Sequence, residues 1–136
     1  MLKIAILGCG RIGQMHAANI AQHPKADLAM VYDVYHPNAE MTATRHGVSI
    51  ASTASDVFAS IEVDAVLVAT TTDTHADFIE MAVEASKPIL CEKPIDLSLD
   101  RVNACAAKIV GTDVPIQLGF NRRFDPGHRA ARNAVV

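Results

Sequence analysis

Apolar runs of strand length alternate along this chain with longer stretches in which apolar residues recur at a helical period. The runs lie at about 2–7, 28–33, 48–51, 65–70, 88–91 and 115–119 and read as strands. Helices are predicted over about 12–22, 38–46, 54–60, 75–86 and 98–110, and a last one begins near 126. In the fourth helix Phe78, Ile79, Ala82 and Val83 share a face, as do Leu99, Val102, Ala106 and Ile109 in the fifth. Ser98 with Asp100 marks a helix start there, and Gly111 a stop. This alternation predicts the α/β class, a doubly wound parallel sheet with strand order 3-2-1-4-5-6. Ligands of such sheets bind beyond the carboxyl ends of the strands, so chemistry is sought at the strand ends.

The first strand runs into Gly8-Cys9-Gly10-Arg11-Ile12-Gly13, three glycines at the spacing of a dinucleotide-binding fingerprint. Gly8 permits a tight turn, a Cβ at Gly10 would keep the backbone from a pyrophosphate, and one at Gly13 would hold the next helix off the sheet. The helix start then offers free N–H groups and a positive dipole end to phosphates. The second strand ends at Asp33, 20 residues after Gly13, where a carboxylate accepts hydrogen bonds from the adenosine ribose hydroxyls. That carboxylate repels a 2′-phosphate, and Val34, Tyr35 and His36 bring no Lys or Arg to hold one. The pattern selects NAD over NADP. Arg11 stands either near the phosphates or on a solvated helix rim, and Ile12 packs beneath the cofactor or on the sheet. His16 reads as a packing or hydrogen-bonding residue.

The fourth strand ends in Thr70-Thr71-Thr72-Asp73-Thr74-His75. Asp73 or Thr74 is expected to cap the next helix, while the loop's backbone and threonines face the cofactor's ribose and phosphate. His75 either supports that loop or caps it. The fifth strand ends in Cys91-Glu92-Lys93-Pro94, where a lysine beside a rigid proline suits a substrate hydroxyl; the alternative is a surface ion pair made by Glu92. The sixth ends in Gly119-Phe120-Asn121-Arg122-Arg123-Phe124-Asp125-Pro126, paired arginines between aromatics, with Asp125-Pro126 as a helix start.

Length and composition narrow the class further. With 136 residues the chain has the size of one domain, and 50% hydrophobic against 20% charged residues suits a sheet covered on both faces. A net charge of −3 and only 4% aromatics argue against a nucleic-acid surface, and no apolar run reaches a membrane span. The N-terminus enters a strand too soon for a signal peptide. Cys9, Cys91 and Cys105 are odd in number and far apart, as expected of reduced thiols in the cytoplasm. The six histidines are scattered, and no metal site is expected.

Taken together, Gly8–Gly13, Thr71-Thr72-Asp73-Thr74-His75 and Glu92-Lys93-Pro94 resemble the glucose–fructose oxidoreductase and inositol dehydrogenase (Gfo/Idh/MocA) family. The run Gly119 to Pro126 is similar to the inositol 2-dehydrogenase branch in particular. The resemblance implies a Rossmann-type NAD-binding domain over 1–120 and a connection to a second domain beginning in 121–136. It implies NAD-dependent oxidation of a secondary alcohol on a cyclitol or sugar. Lys93 would contact the reacting hydroxyl and Arg122 the substrate. Gly8, Gly10, Arg11, Ile12, Gly13, Asp33, Thr70, Thr71, His75 and Glu92 would form the cofactor site. Thr71 stands where many relatives carry proline, a small change in loop rigidity. The family's catalytic base lies in its second domain, on an Asp-x-x-x-His pair, so a truncated form that binds NAD with little turnover is expected. Another sugar or sugar phosphate as substrate, or a non-catalytic NAD-binding module, are the alternatives. Apolar surface near the closing helix, including Val135 and Val136, is expected to be exposed and to drive self-association.

Overall fold

The computed structural model describes residues 1–135, and Val136, named above, lies outside them. The elements run β1 (Leu2–Leu7), α1 (Arg11–Ala21), β2 (Ala26–Tyr32), α2 (His36–His46), β3 (Ser49–Ile50), α3 (Ala54–Ala59) and β4 (Ala65–Val68). After a 3-10 turn, Thr72–Thr74, follow α4 (His75–Glu84), β5 (Ile89–Cys91), α5 (Leu99–Ile109), β6 (Ile116–Leu118), a second 3-10 turn, Asn121–Phe124, and α6 (Pro126–Val135). All six strands are parallel, in the order β3-β2-β1-β4-β5-β6. The expected doubly wound topology is therefore the observed one.

Successive residues of a strand point to opposite faces, and β1, paired on both edges, is buried on both. Ala5 and Leu7 enter one core with Val66, Val68, Ile79, Ala82 and Cys105. Ile6 enters the other with Val31 and Leu67 of the neighbouring strands and with Ala17, Ile20 and Ala39 from α1 and α2. This is why the strand reads as a continuous apolar run. An apolar cleft of about 420 Å³ also lies across β1, β4, β5 and β6, lined by Leu2, Ile4, Leu67, Leu90 and Ile116 among others.

Three local expectations are corrected. Helix α2 starts at His36 rather than near 38, with Pro37 in its first turn, where a missing N–H costs nothing. Thr74 is the N-cap of α4, as expected, but its side chain makes no capping hydrogen bond. The Thr74 hydroxyl instead donates to the Thr71 carbonyl at 2.8 Å and lies 2.7 Å from the Thr70 hydroxyl. The face of α5 turned to the core is centred on Cys105, while Leu99 is 72% exposed. Beside that face Arg101 and Lys108 both donate to the Glu80 carboxylate on α4, at 2.6 and 2.5 Å. Ser98 does cap α5, accepting from the Arg101 N–H at 3.4 Å, and Gly111 after it has φ +81°.

Candidate functional site

A cleft of about 300 Å³ opens at the carboxyl ends of β1, β2 and β4, lined by Gly8, Gly10, Asp33, Val34, Asn38, Ala69, Thr70, Thr71, Thr74 and Phe78. Its floor exists because two backbones approach where no Cβ fits. At Gly8, with φ +91°, a Cβ would lie 2.5 Å from the Ala69 carbonyl oxygen at the end of β4. At Gly13 it would lie 1.8 Å from the Gly8 carbonyl oxygen, so this glycine lets α1 close on the loop itself rather than on the sheet. Gly10 differs: nothing lies within 4 Å of where its Cβ would be. The space beside it is open, and a ligand can approach the backbone there.

Helix α1 begins in this space. Its N-cap, Gly10, has no side chain to satisfy the first amides, and no acidic residue occupies the first turn. The partial positive charge of the helix end is thus left for an anion. Arg11, the first residue of the helix, is exposed and Ile12 is half-buried; neither lines the cleft wall.

Asp33 closes the opposite end. Its Oδ2 accepts the Cys9 N–H at 2.7 Å and its Oδ1 accepts the Tyr35 N–H at 2.8 Å. Two amides fix the carboxylate, and each oxygen keeps a further lone pair for a ribose hydroxyl. The residues thus fit a dinucleotide: open backbone and helix amides for phosphates, and an oriented carboxylate for a diol.

Two sequence-predicted cofactor residues are placed elsewhere. His75 is 2% exposed, with Nδ1 2.7 Å from the Pro94 carbonyl oxygen and Nε2 3.1 Å from that of Thr70. Both ring nitrogens face carbonyl oxygens of the protein, and whichever carries the proton donates to its partner, so His75 holds the loop from behind and turns no polar atom into the cleft. Glu92 accepts from His16 Nε2 at 2.9 Å and lines a different cleft, with Leu118, Gly119 and Phe120. The strand end turns its carboxylate toward α1. His16 is the hydrogen-bonding residue expected of it.

Lys93 is exposed just after β5. Arg122 is exposed beyond β6 and pairs with Asp125 at 3.3 Å. It also lines a cleft of about 710 Å³ with Arg123, Phe124, His128, Arg129, Arg132 and Asn133. The chain's net charge of −3 therefore conceals a local concentration of four arginines. Asp125 lies below the usual carboxylate range, chiefly because it accepts hydrogen bonds from His128.

Asn38, Thr74 and Phe78 line the main cleft without having been singled out as site residues. The hydroxyl run marks Thr74 as a cap, and the helical period of α4 marks Phe78 as core. Asn38 carried no signal until the start of α2 was known. The three thiols are free and buried; burial pushes Cys9 up to about 11 and Cys91 up to about 12, which suits packing and not nucleophilic chemistry. Among the described residues no group of three or more His, Cys, Asp or Glu could hold a metal ion, and no helix is long and apolar enough to cross a membrane.

Residues 2–120 match the Gfo/Idh/MocA model, that of an oxidoreductase family with an NAD-binding Rossmann fold. An inositol 2-dehydrogenase of Rhizobium meliloti is 42% identical over 134 residues, which are 98% of this chain and 40% of that protein. A scyllo-inositol 2-dehydrogenase (NAD(+)) of Bacillus subtilis is 38% identical over 138 residues, again 98% of this chain and 40% of the relative. The crystal structure of scyllo-inositol dehydrogenase from Lactobacillus casei with bound NAD(H) and scyllo-inositol superposes with a TM-score of 0.92 at 32% identity, covering 99% of this chain and 41% of that one. The chain thus spans about 40% of the length of these relatives.

Proposed function

From the premise that this chain belongs to the Gfo/Idh/MocA oxidoreductase family with its NAD-binding Rossmann fold, we propose that it is the cofactor-binding part of an NAD-dependent inositol 2-dehydrogenase. The reaction is oxidation of a secondary alcohol of myo-inositol or a related cyclitol. The observation that carries this reading is the placement of the glycine loop and Asp33 on one cleft, in a chain 42% identical to an inositol 2-dehydrogenase. Residues 1–120 form the NAD-binding domain, and 121–136 begin the connection to a further domain; the greater length of the relatives supports this division. Free, buried thiols support a cytoplasmic setting. The apolar cleft across β4 to β6 and the 86% exposed Val135 support self-association.

Each residue has a task that follows from its position. Gly10, Arg11, Ile12 and Gly13 hold the dinucleotide's phosphates with backbone amides and the α1 dipole, while Gly8, whose own N–H donates to the Tyr32 carbonyl at 2.8 Å, makes the turn that brings them there. Asp33 binds the adenosine ribose and disfavours a 2′-phosphate, while Thr70 and Thr71 line the path toward the nicotinamide. Bound NAD supplies the hydride acceptor. Lys93, at the end of β5, orients the reacting hydroxyl, and Arg122 contacts the substrate beyond β6. The hydroxyl proton must leave as the hydride does, and a positioned acceptor is worth about 10²- to 10⁴-fold. In this reading that acceptor is supplied from outside residues 1–136.

One observation favours a second substrate class. Four arginines around one cleft suit a phosphate or carboxylate better than a neutral ring. Both classes are tested by measuring NAD reduction across myo-inositol, scyllo-inositol, glucose and sugar phosphates, with this chain and with a form lengthened to the size of the relatives. Turnover of a cyclitol only in the longer form is the expected result. Preference for a sugar phosphate transfers the assignment to the second class, and failure of either form to bind NAD overturns both.

A further inference from the structure

We propose that His16 and His75 are positioning residues that clamp the Glu92-Lys93-Pro94 turn to the two loops lining the cofactor cleft. The inference rests on the role given to Lys93 above. Lys93 itself is exposed, so its place is set by its two neighbours in sequence. Glu92 is held through its side chain: Oε1 accepts from His16 Nε2 at 2.9 Å, and both side chains are about four-fifths buried, at 19% and 21% exposure. Its backbone is held too, because the Glu92 N–H donates to the Val68 carbonyl at 2.9 Å. Gly119 leaves room for the carboxylate; a Cβ there would lie 3.0 Å from Glu92 Oε2. Pro94 is held on the other side, its carbonyl 2.7 Å from His75 Nδ1.

What the two histidines are attached to gives the clamp its meaning. His16 sits on α1, about one turn after Gly13, the last glycine of the loop whose amides face the phosphates. His75 opens α4, directly after the loop that contributes Thr70, Thr71 and Thr74 to the cleft, and its Nε2 lies 3.1 Å from the Thr70 carbonyl oxygen. Each histidine thus bridges one cofactor loop to one flank of the lysine. A hydrogen bond to a charged group contributes more than a neutral one, and shielding from water preserves it. A fixed lysine matters because orientation of a reacting group against its partner accounts for a large share of catalysis.

The test reads the position of Lys93 directly. Folded protein is treated briefly with acetic anhydride, and acylation of Lys93 is quantified by mass spectrometry against Lys25, an exposed lysine far away in the chain. His16→Ala is expected to change the Lys93:Lys25 ratio at least about threefold. His16→Gln, whose amide N–H replaces the Nε2–H donor, is expected to restore the parental ratio, a rescue that loss of ring packing alone would not produce. The double variant His16→Ala/Glu92→Ala should differ from Glu92→Ala by less than the experimental error. His75 is more deeply buried, so His75→Leu, which fills the space without a polar atom, and not His75→Ala is the variant used on that side; a shift in the same ratio is expected, and an unchanged ratio there overturns the part given to His75. An unchanged ratio in His16→Ala, or a Gln variant no closer to the parent than the Ala variant, overturns the clamp. Calorimetry with NAD on the same samples judges the cofactor assignment separately: a parent that does not bind NAD sinks that reading, while the lysine ratios still decide the clamp.

Discussion

Gly10 and Gly13 are three residues apart in one loop, yet replacing each with alanine should produce opposite failures. At Gly13 the new methyl would stand 1.8 Å from the Gly8 carbonyl oxygen and 2.8 Å from its carbon, both backbone atoms at the end of the central strand. Ordinary contact needs more than 3 Å, so α1 must move away from β1 by over an ångström. Overpacking a rigid site costs about 3 kcal/mol or more when backbone must move. At Gly10 the methyl meets nothing within 4 Å, and the residue's φ of −67° is available to alanine. Two small terms then oppose each other. Alanine restricts the unfolded chain, worth about 0.4–1 kcal/mol in favour of folding. It is also a poorer N-cap than glycine by a similar amount. Gly10→Ala should therefore stay within about 1 kcal/mol of the parent, a Tm change of no more than about 5 °C. Its methyl nevertheless enters the open space through which a phosphate must reach the backbone amides, and NAD affinity should fall at least about tenfold, or 1.4 kcal/mol. Differential scanning calorimetry with isothermal titration of NAD on both variants checks the pair. A Gly10→Ala protein that binds NAD like the parent would refute the claim that phosphates approach at this residue.

Asp33→Ala removes the carboxylate that accepts from Cys9 and Tyr35 and faces the cleft; charge-assisted hydrogen bonds of about 1.5–3 kcal/mol imply roughly a 10- to 150-fold loss of NAD affinity by calorimetry. Parental affinity in that variant removes Asp33 from the site. Acid should weaken the α4–α5 pairing. Burial works to raise the Glu80 pKa, but hydrogen bonds and charge from Arg101 and Lys108 outweigh it and hold the carboxyl below its ordinary value. A depressed folded-state pKa means that this stabilisation is complete above about pH 5 and is lost as pH falls through the folded value. Because Lys108 is largely exposed, Glu80→Gln should cost only about 1–2 kcal/mol at neutral pH. Urea titrations from pH 7 to 3 should show a shallower acid loss in the variant, and parallel curves would exclude Glu80 as the titrating group.

The order of strands, the three glycines at their end and Asp33 could be read from the chain because they are local. A central parallel strand is apolar without alternation, the glycine spacing is a property of one turn, and the acid follows at the distance of one β–α–β unit. The resemblance of Glu92-Lys93-Pro94 to a family was visible for the same reason. Contacts between elements distant in sequence were not. Nothing near Glu92 indicates that its carboxylate turns toward His16, 76 residues away. The end of a polar loop marks His75 as a cofactor residue, and only the fold shows both its nitrogens facing the carbonyl oxygens of Thr70 and Pro94. The apolar period of α5 does not reveal that Leu99 is exposed and Cys105 buried, because period takes no account of Arg101 and Lys108 pairing with Glu80 on α4. The arginines of the closing segment likewise read as a local oddity until a 3-10 turn and a helix brought them around one cleft. Sequence alone determined which elements form and where the glycine turn meets the start of α1, since those are matters of period, turn and N-terminus. Tertiary structure decided which polar groups remain free to act, because a hydrogen-bonding atom serves a ligand only if no neighbour brought close by folding has already taken it.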